Sequence, residues 1–144
     1  MPNTLIVYYS RTGTTDAFAK TLQAILNCDI DKIDYQNGGK PGFLAAILQS
    51  LRKKIKPFKG GTHDAGKYDK IIFISPIWAS ALATPVRSYM AANKDKIKSY
   101  DLYVTCGSSG LEEAKKDAQS VTGKLPEEAR QFRASDIKDD NVVL

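Results

Sequence analysis

The sequence has 144 residues, of which 42% are apolar, 26% charged and 9% aromatic, a composition typical of one globular domain. The net charge is +5, and the two cysteines, Cys28 and Cys106, are too few for a disulfide framework and match no metal-ligand spacing. No basic leader precedes Thr4 and no apolar run approaches the ~20 residues of a membrane span, so we expect a single cytoplasmic domain over residues 1–144.

Apolar runs of strand length recur along the chain. The runs Thr4–Tyr9, Ile71–Ile74 and Leu102–Thr105 are continuous, which is typical of central parallel strands buried on both faces. The more polar stretch Asp29–Asp34 predicts an edge strand, and Phe132–Ile137 predicts a last short strand.

Helical spacing of apolar residues fills the gaps between these strands. Two helices are predicted over Asp16–Leu26 and Gly42–Ile55. A third opens at Thr84–Pro85, read as an N-cap followed by proline, and a fourth opens with a capping box at Ser109–Glu112 and stops at Gly123. The alternation predicts an α/β fold with a doubly wound parallel sheet, whose ligands bind at the carboxyl ends of strands.

A hydroxyl-rich turn follows the first predicted strand. The segment Ser10-Arg11-Thr12-Gly13-Thr14-Thr15 runs directly into a helix, and its hydroxyls and free N–H groups are suited to a phosphate. It lacks the second glycine of a dinucleotide fingerprint and the lysine of a nucleoside-triphosphate loop. The alternative is an ordinary capped turn, because Ser and Thr are common helix caps.

Two further strand ends carry residues suited to a planar ligand. The segment Ser75-Pro76-Ile77-Trp78-Ala79-Ser80 places the only tryptophan in a strand-end loop, where it would stack on a heterocycle or tuck under its own loop. The segment Cys106-Gly107-Ser108-Ser109-Gly110 allows close backbone approach, although Gly and Ser also make plain turns. Because all three segments follow parallel strands, we predict that they face one ligand.

These three segments resemble those of the flavodoxin-like FMN-binding proteins, and the resemblance covers nearly the whole chain. Ser10, Thr12, Gly13 and Thr15 match the [ST]-x-T-G-x-T phosphate loop, and SPIW followed by TPVRSY is similar to the loop and helix that flank the flavin. The resemblance implies a five-stranded parallel sheet of order 2-1-3-4-5, with helices on both faces, and FMN as cofactor. It assigns Ser10, Arg11, Thr12, Gly13, Thr14 and Thr15 to the phosphate, Ser75, Pro76, Ile77, Trp78 and Ala79 to the ribityl chain and flavin, and Cys106, Gly107, Ser108 and Gly110 to the pyrimidine side.

The chain departs from electron-carrying flavodoxins in charge and in its ring loops. Leu51–Lys70 holds seven basic and two acidic residues, which accounts for the whole net charge, whereas such carriers are strongly acidic. Ser108 and Ser109 stand where a second aromatic is usual, and Trp78-Ala79-Ser80-Ala81 lacks the glycine whose peptide flips toward reduced flavin. We therefore expect an FMN-dependent oxidoreductase that takes hydride from a nicotinamide nucleotide and reduces a quinone-type acceptor.

Two alternative functions remain open. One is a one-electron carrier with no substrate of its own, and the other is a flavin-free binding module. The basic segment Leu51–Lys70 would attract nucleotide phosphates or an acidic redox protein, unless it is a solvated helix end and loop. Nucleic-acid binding is not expected, because no reader motif is present. His63, the only histidine, is expected on the surface without a partner, and no catalytic or metal-ligating residue is predicted.

Overall fold

The computed structural model describes residues 3–10, 13–35, 58–78, 81–106 and 110–133, so the predicted helix Gly42–Ile55 lies outside the described residues. A 3-10 helix, Ala65–Lys67, precedes the longest strand. The other described elements, in chain order, are β1 (Thr4–Tyr8), α1 (Thr14–Leu26), β2 (Asp29–Tyr35), β3 (Phe58–Gly60), β4 (Lys70–Trp78), β5 (Ala81–Leu82), α2 (Thr84–Asn93), β6 (Tyr100–Cys106), α3 (Leu111–Thr122) and β7 (Ala129–Arg133).

The parallel part of the sheet has the order β2-β1-β4-β6-β7. This confirms the predicted doubly wound sheet with parallel order 2-1-3-4-5. Two short strands are added to it: β3 pairs antiparallel with β2, and β5 pairs antiparallel with the end of β4. The expectation that β2 is an edge strand was wrong, because the three residues of β3, too few to show a strand pattern, lie outside it.

Strand β1 shows why the sheet carries helices on both faces. Leu5 and Val7 pack with residues of α2 and α3, whereas Ile6 and Tyr8 pack with residues of α1 on the other face. Side chains alternate between faces along a strand, so a continuous apolar run is buried on both. The result is the predicted three-layer sandwich.

Several predicted strand ends were wrong because strands gain partners from distant parts of the chain. β4 extends through Ser75–Trp78, predicted as a loop, since β5 turns back and pairs Ile77 with Leu82 and Trp78 with Ala81. β6 reaches Cys106, which pairs with Arg133 of β7. β7 begins at Ala129, three residues before the expected start, and residues 134–137 lie outside the described residues.

Two predicted helix caps were also wrong. Ala83 is the N-cap of α2, so Thr84 is its first helical residue, and Pro85 stands in the first turn. The N-cap of α3 is Gly110, with no side-chain cap, in place of the expected capping box at Ser109. Gly123 ends α3 in the left-handed conformation, as predicted.

Candidate functional site

The N-terminus of α1 forms an open cradle of N–H groups at the end of β1. Gly13 is its N-cap at φ 93°, and no side-chain cap is found among the described residues. The Ser10 hydroxyl oxygen accepts a hydrogen bond from the Gly13 N–H at 3.0 Å, and a Cβ on Gly13 would meet no heavy atom of the described residues within 4 Å. First-turn N–H groups have no acceptor inside a helix and lie at the positive end of its dipole. The cradle is therefore suited to an anion.

Asp16, in the first turn of α1, has partners that offset its negative charge. Asp16 accepts a hydrogen bond from the Tyr8 hydroxyl at 2.5 Å, and it pairs with Lys20 at 3.1 Å and Lys32 at 3.7 Å. The Tyr8 hydrogen bond is the main cause of the lowered pKa of Asp16. Burial, together with this carboxylate, raises the pKa of Tyr8. Two lysines thus offset the negative charge closest in sequence to the cradle.

A hydrogen bond and a close backbone approach bring the three predicted binding segments together. The hydroxyls of Thr15 in α1 and Thr105 in β6 are hydrogen-bonded at 3.1 Å, although the residues are 90 positions apart. Gly110 has φ 123°, and a Cβ there would lie 3.1 Å from Cγ2 and 3.2 Å from Cδ1 of Ile77. Only a glycine lets the backbone before α3 approach Ile77 so closely. The ends of β1, β4 and β6 therefore meet at the carboxyl edge of the sheet.

The return strand β5 is anchored to β4 by Ser75. The fully buried Ser75 hydroxyl oxygen accepts a hydrogen bond from the Ala83 N–H at 3.0 Å and its hydroxyl donates to the Pro76 carbonyl oxygen at 2.8 Å. Ser75 thus ties the residue after β5 back to β4. We predicted Ser75 as a ligand contact, and its hydroxyl serves this internal bond.

The described part of the predicted site lies at this one edge. Trp78 and Cys106 are the last residues of β4 and β6, and Thr14 is the first of α1. The residues whose surroundings are described are Ser10, Gly13, Thr15, Ser75, Pro76, Ile77 and Gly110. Those outside the described residues are Arg11, Thr12, Ala79, Gly107 and Ser108. The role of each in binding a cofactor stays a prediction.

Sequence reasoning missed a buried ion pair next to the site. Arg87 of α2 and Asp117 of α3 are each 1% exposed, and Arg87 Nη2 lies 2.8 Å from Asp117 Oδ2. The signal available in the sequence was an arginine inside the otherwise uncharged helix stretch TPVRSYM. Nothing local marks Asp117, which stands among other charged residues of α3, as its partner.

His63 has a partner, contrary to expectation, and lies apart from the three segments. Its Nδ1 is 2.7 Å from Oδ1 of the buried Asp31, and its backbone N–H donates to Oδ2 at 3.0 Å. The Thr62 hydroxyl also donates to Oδ1 at 3.0 Å. The hydrogen bond to Asp31 raises the pKa of His63. Together these bonds fasten the loop after β3 to β2.

A cavity of about 460 Å³ lies at the opposite edge of the sheet, where strands begin. Lys70 and Asp101 line it and form an ion pair at 3.4 Å. Burial raises the pKa of Asp101, and Lys70 opposes the shift. Ligands of doubly wound sheets bind at the carboxyl ends of strands, so this cavity is not the site that the three segments form.

The described residues form neither a metal-binding cluster nor a membrane-spanning helix. No three His, Cys, Asp or Glu side chains in that part of the chain are grouped to hold a metal ion. No helix in the same ranges is both long and apolar enough to cross a membrane.

Solved structures share this architecture over most of the chain. An FMN complex of a flavoprotein from Lactobacillus acidophilus is 18% identical, with 99% of this chain and 100% of that chain covered and a TM-score of 0.80. A WrbA-like flavodoxin from Agrobacterium tumefaciens is 17% identical, with coverages of 90% and 83% and a TM-score of 0.54. An FMN-bound flavodoxin from Fusobacterium nucleatum is 12% identical, with coverages of 90% and 69% and a TM-score of 0.52.

The chain therefore has the flavodoxin-like fold, as its motifs predicted. No protein-family model and no curated protein matches the sequence, so the likeness rests on structure alone.

Proposed function

We propose that this protein binds FMN and acts in electron transfer. The observation that carries the proposal is the meeting of the three segments at the carboxyl edge, joined by the Thr15–Thr105 hydrogen bond and the Gly110–Ile77 contact. The edge includes the point beside β1 where strand order reverses, which is where doubly wound sheets bind ligands. The structurally similar Lactobacillus acidophilus flavoprotein is a complex with FMN, which supports the same ligand here.

The described residues fit a phosphate at the start of α1. The start of α1 supplies N–H donors to an anion, and no described atom lies where a Cβ on Gly13 would crowd it. Ser10 orients the Gly13 peptide, and the sequence between them, Arg11 and Thr12, would add a charge and a hydroxyl. When bound, FMN would supply the redox chemistry by accepting and releasing electrons. The chain's own residues would bind the phosphate and orient the ring.

FMN binding is tested by titrating the purified apoprotein with FMN and with riboflavin, which lacks the phosphate. We expect flavin absorption bands in the protein as purified and a clear preference for FMN. Ser10→Ala should weaken FMN about two- to tenfold, the worth of roughly one hydrogen bond. Thr21→Ala, which removes a hydroxyl bonded to the Ala17 carbonyl oxygen on the exposed side of α1, is the matched control. A colourless protein that takes up no FMN would refute the proposal and favour a flavin-free binding module.

We further propose that the protein is an FMN-dependent oxidoreductase, with a nicotinamide nucleotide as donor and a quinone-type acceptor. Trp78 of β4 pairs with Ala81 of β5, and the sequence from Trp78 to Ala81 contains no glycine. A peptide flip in this segment would force a non-glycine residue toward positive φ, at a cost of about 1–2 kcal/mol. The absence of glycine from this segment of the sequence therefore disfavours the one-electron chemistry of a carrier and supports two-electron transfer.

Reduction of the FMN-loaded protein by NADH or NADPH, followed by addition of a quinone, tests this finer function. We expect reduction faster than that of free FMN and reoxidation by the quinone. Partial photoreduction should yield little one-electron-reduced flavin, and Ala79→Gly, which introduces a glycine between Trp78 and Ala81, should raise its yield. A wild-type protein that ignores both nucleotides and accumulates the one-electron form is a carrier instead.

A further inference from the structure

Arg87 and Asp117 form a forked ion pair in the interior between α2 and α3. Arg87 Nη2 donates to Asp117 Oδ2 at 2.8 Å, and Arg87 Nε donates to the same oxygen at 3.2 Å. Each side chain is 1% exposed. Two charges are thus held out of water beside the return strand β5.

The pair also binds the backbone of β5 directly. Asp117 Oδ2 accepts a hydrogen bond from the Leu82 N–H at 3.1 Å, and Arg87 Nη2 donates to the Leu82 carbonyl oxygen at 3.1 Å. In the described structure β5 has one neighbouring strand, β4. The ion pair therefore satisfies both backbone polar groups of Leu82, as a second neighbouring strand would.

Stability alone is a poor explanation for such a pair. Removing two charges from water costs several kcal/mol for each ion, and well-packed apolar residues often serve the fold equally well. Apolar side chains, however, cannot form hydrogen bonds with the backbone N–H and carbonyl of Leu82 in β5. What the pair adds is a fixed position for β5, and the adjoining Ser75–Ala83 hydrogen bond acts at the next residue.

We propose that Asp117, acting with Arg87, is a positioning residue for the paired ends of β4 and β5, Trp78 and Ala81, and through this pairing controls affinity for the planar ring of FMN. The inference rests on the proposed FMN function. Trp78 and Ala81 are the last pair between the two strands, and Ala81 directly precedes the anchored Leu82. Loosening Leu82 would weaken this pairing while leaving the phosphate cradle of α1 intact.

Asp117→Asn is compared with Asp101→Asn to test the positioning role. Asp101 is also a buried carboxylate paired with a cation, but it lies at the opposite edge and touches the cavity there. In apoprotein, Asp117→Asn should speed hydrogen exchange at the Leu82 and Ala83 amides at least tenfold relative to Ile6 of β1. Asp101→Asn should leave that ratio unchanged. This readout needs no flavin, so it stands even if the wild-type protein binds none.

Ligand titrations then separate ring positioning from general destabilisation. Asp117→Asn should weaken FMN and riboflavin by the same factor, tenfold or more, because the phosphate cradle is untouched. Asp101→Asn should change neither affinity by more than twofold. If Asp117→Asn fails to fold, Ser75→Ala is used instead, because it removes the hydrogen bond to Ala83 and leaves no buried charge unpaired. It should weaken FMN and riboflavin by the same factor, smaller than that expected for Asp117→Asn. Unchanged Leu82 and Ala83 exchange, or equal effects of the two Asn variants on ligand affinity, would overturn the proposal.

Discussion

Gly110→Ala tests whether the segments after β4 and β6 meet as described. The added Cβ would lie 3.1 Å and 3.2 Å from two carbons of Ile77, on a residue with φ 123°. Gly123 is the matched control, because its φ is 77° and a Cβ there would meet no heavy atom within 4 Å in the part of the chain that the structure describes. Both substitutions strain a positive-φ backbone, and only the first creates a contact.

The two effects have separable magnitudes. Backbone strain at positive φ costs about 1–2 kcal/mol for alanine, which is the whole expected loss for Gly123→Ala. Overpacking against Ile77 adds about 1–3 kcal/mol, so Gly110→Ala should lose about 2–5 kcal/mol. A domain with about 5–15 kcal/mol of stability remains folded enough to measure in most of this range.

Urea unfolding of the single and double variants gives the decisive number. Ile77→Ala removes both carbons that the new Cβ would contact, so the Gly110→Ala/Ile77→Ala pair should show a favourable coupling of about 1–3 kcal/mol. The reasoning is refuted if the coupling is near zero and Gly110→Ala costs no more than Gly123→Ala. In that case the two segments do not touch in solution.

Three further perturbations address other parts of the fold. Because the pKa of His63 is raised in the folded protein, its bond to Asp31 gives its full stabilisation below the ordinary histidine pKa. This stabilisation is lost as the pH rises through the higher pKa of the folded state. Between about pH 5 and 8 the free energy of unfolding should therefore fall relative to that of His63→Gln, and parallel curves would contradict this. Tyr8→Phe removes the bond to Asp16 and should lower stability by about 1–2 kcal/mol. Tyr103→Phe, on the same sheet face and with no hydroxyl hydrogen bond among the described residues, should cost less; equal losses would refute the role of that bond. Gly60→Ala would place a Cβ 2.1 Å from the Lys32 carbonyl oxygen at φ 99°, so exchange at the paired residues of β2 should rise sharply, and retained protection would show that β3 is not seated as described.

Local patterns were sufficient for the order of the five parallel strands and of α1, α2 and α3, and for the edge where the candidate site lies. The continuous apolar run of β1 requires burial on both faces, which only a sheet between helix layers provides. The hydroxyl-rich segment before α1 and the glycine before α3 each follow a parallel strand. Both therefore lie at the carboxyl edge of the sheet, because parallel strands all end there.

Tertiary structure decided every feature that depends on a partner far along the chain. β4 runs on to Trp78 because β5 returns to pair with it, and β2 is flanked by β3 although neither sequence signals the pairing. Likewise, His63 pairs with Asp31, which is 32 positions away in the sequence, and Arg87 pairs with Asp117, which is 30 positions away. Periodicity and caps report on neighbours within a few residues, whereas these contacts follow from how the strands and helices pack. The sequence thus determined the five parallel strands, the three described α-helices and the edge that carries the candidate site, and packing determined the short added strands and the contacts that hold that edge in shape.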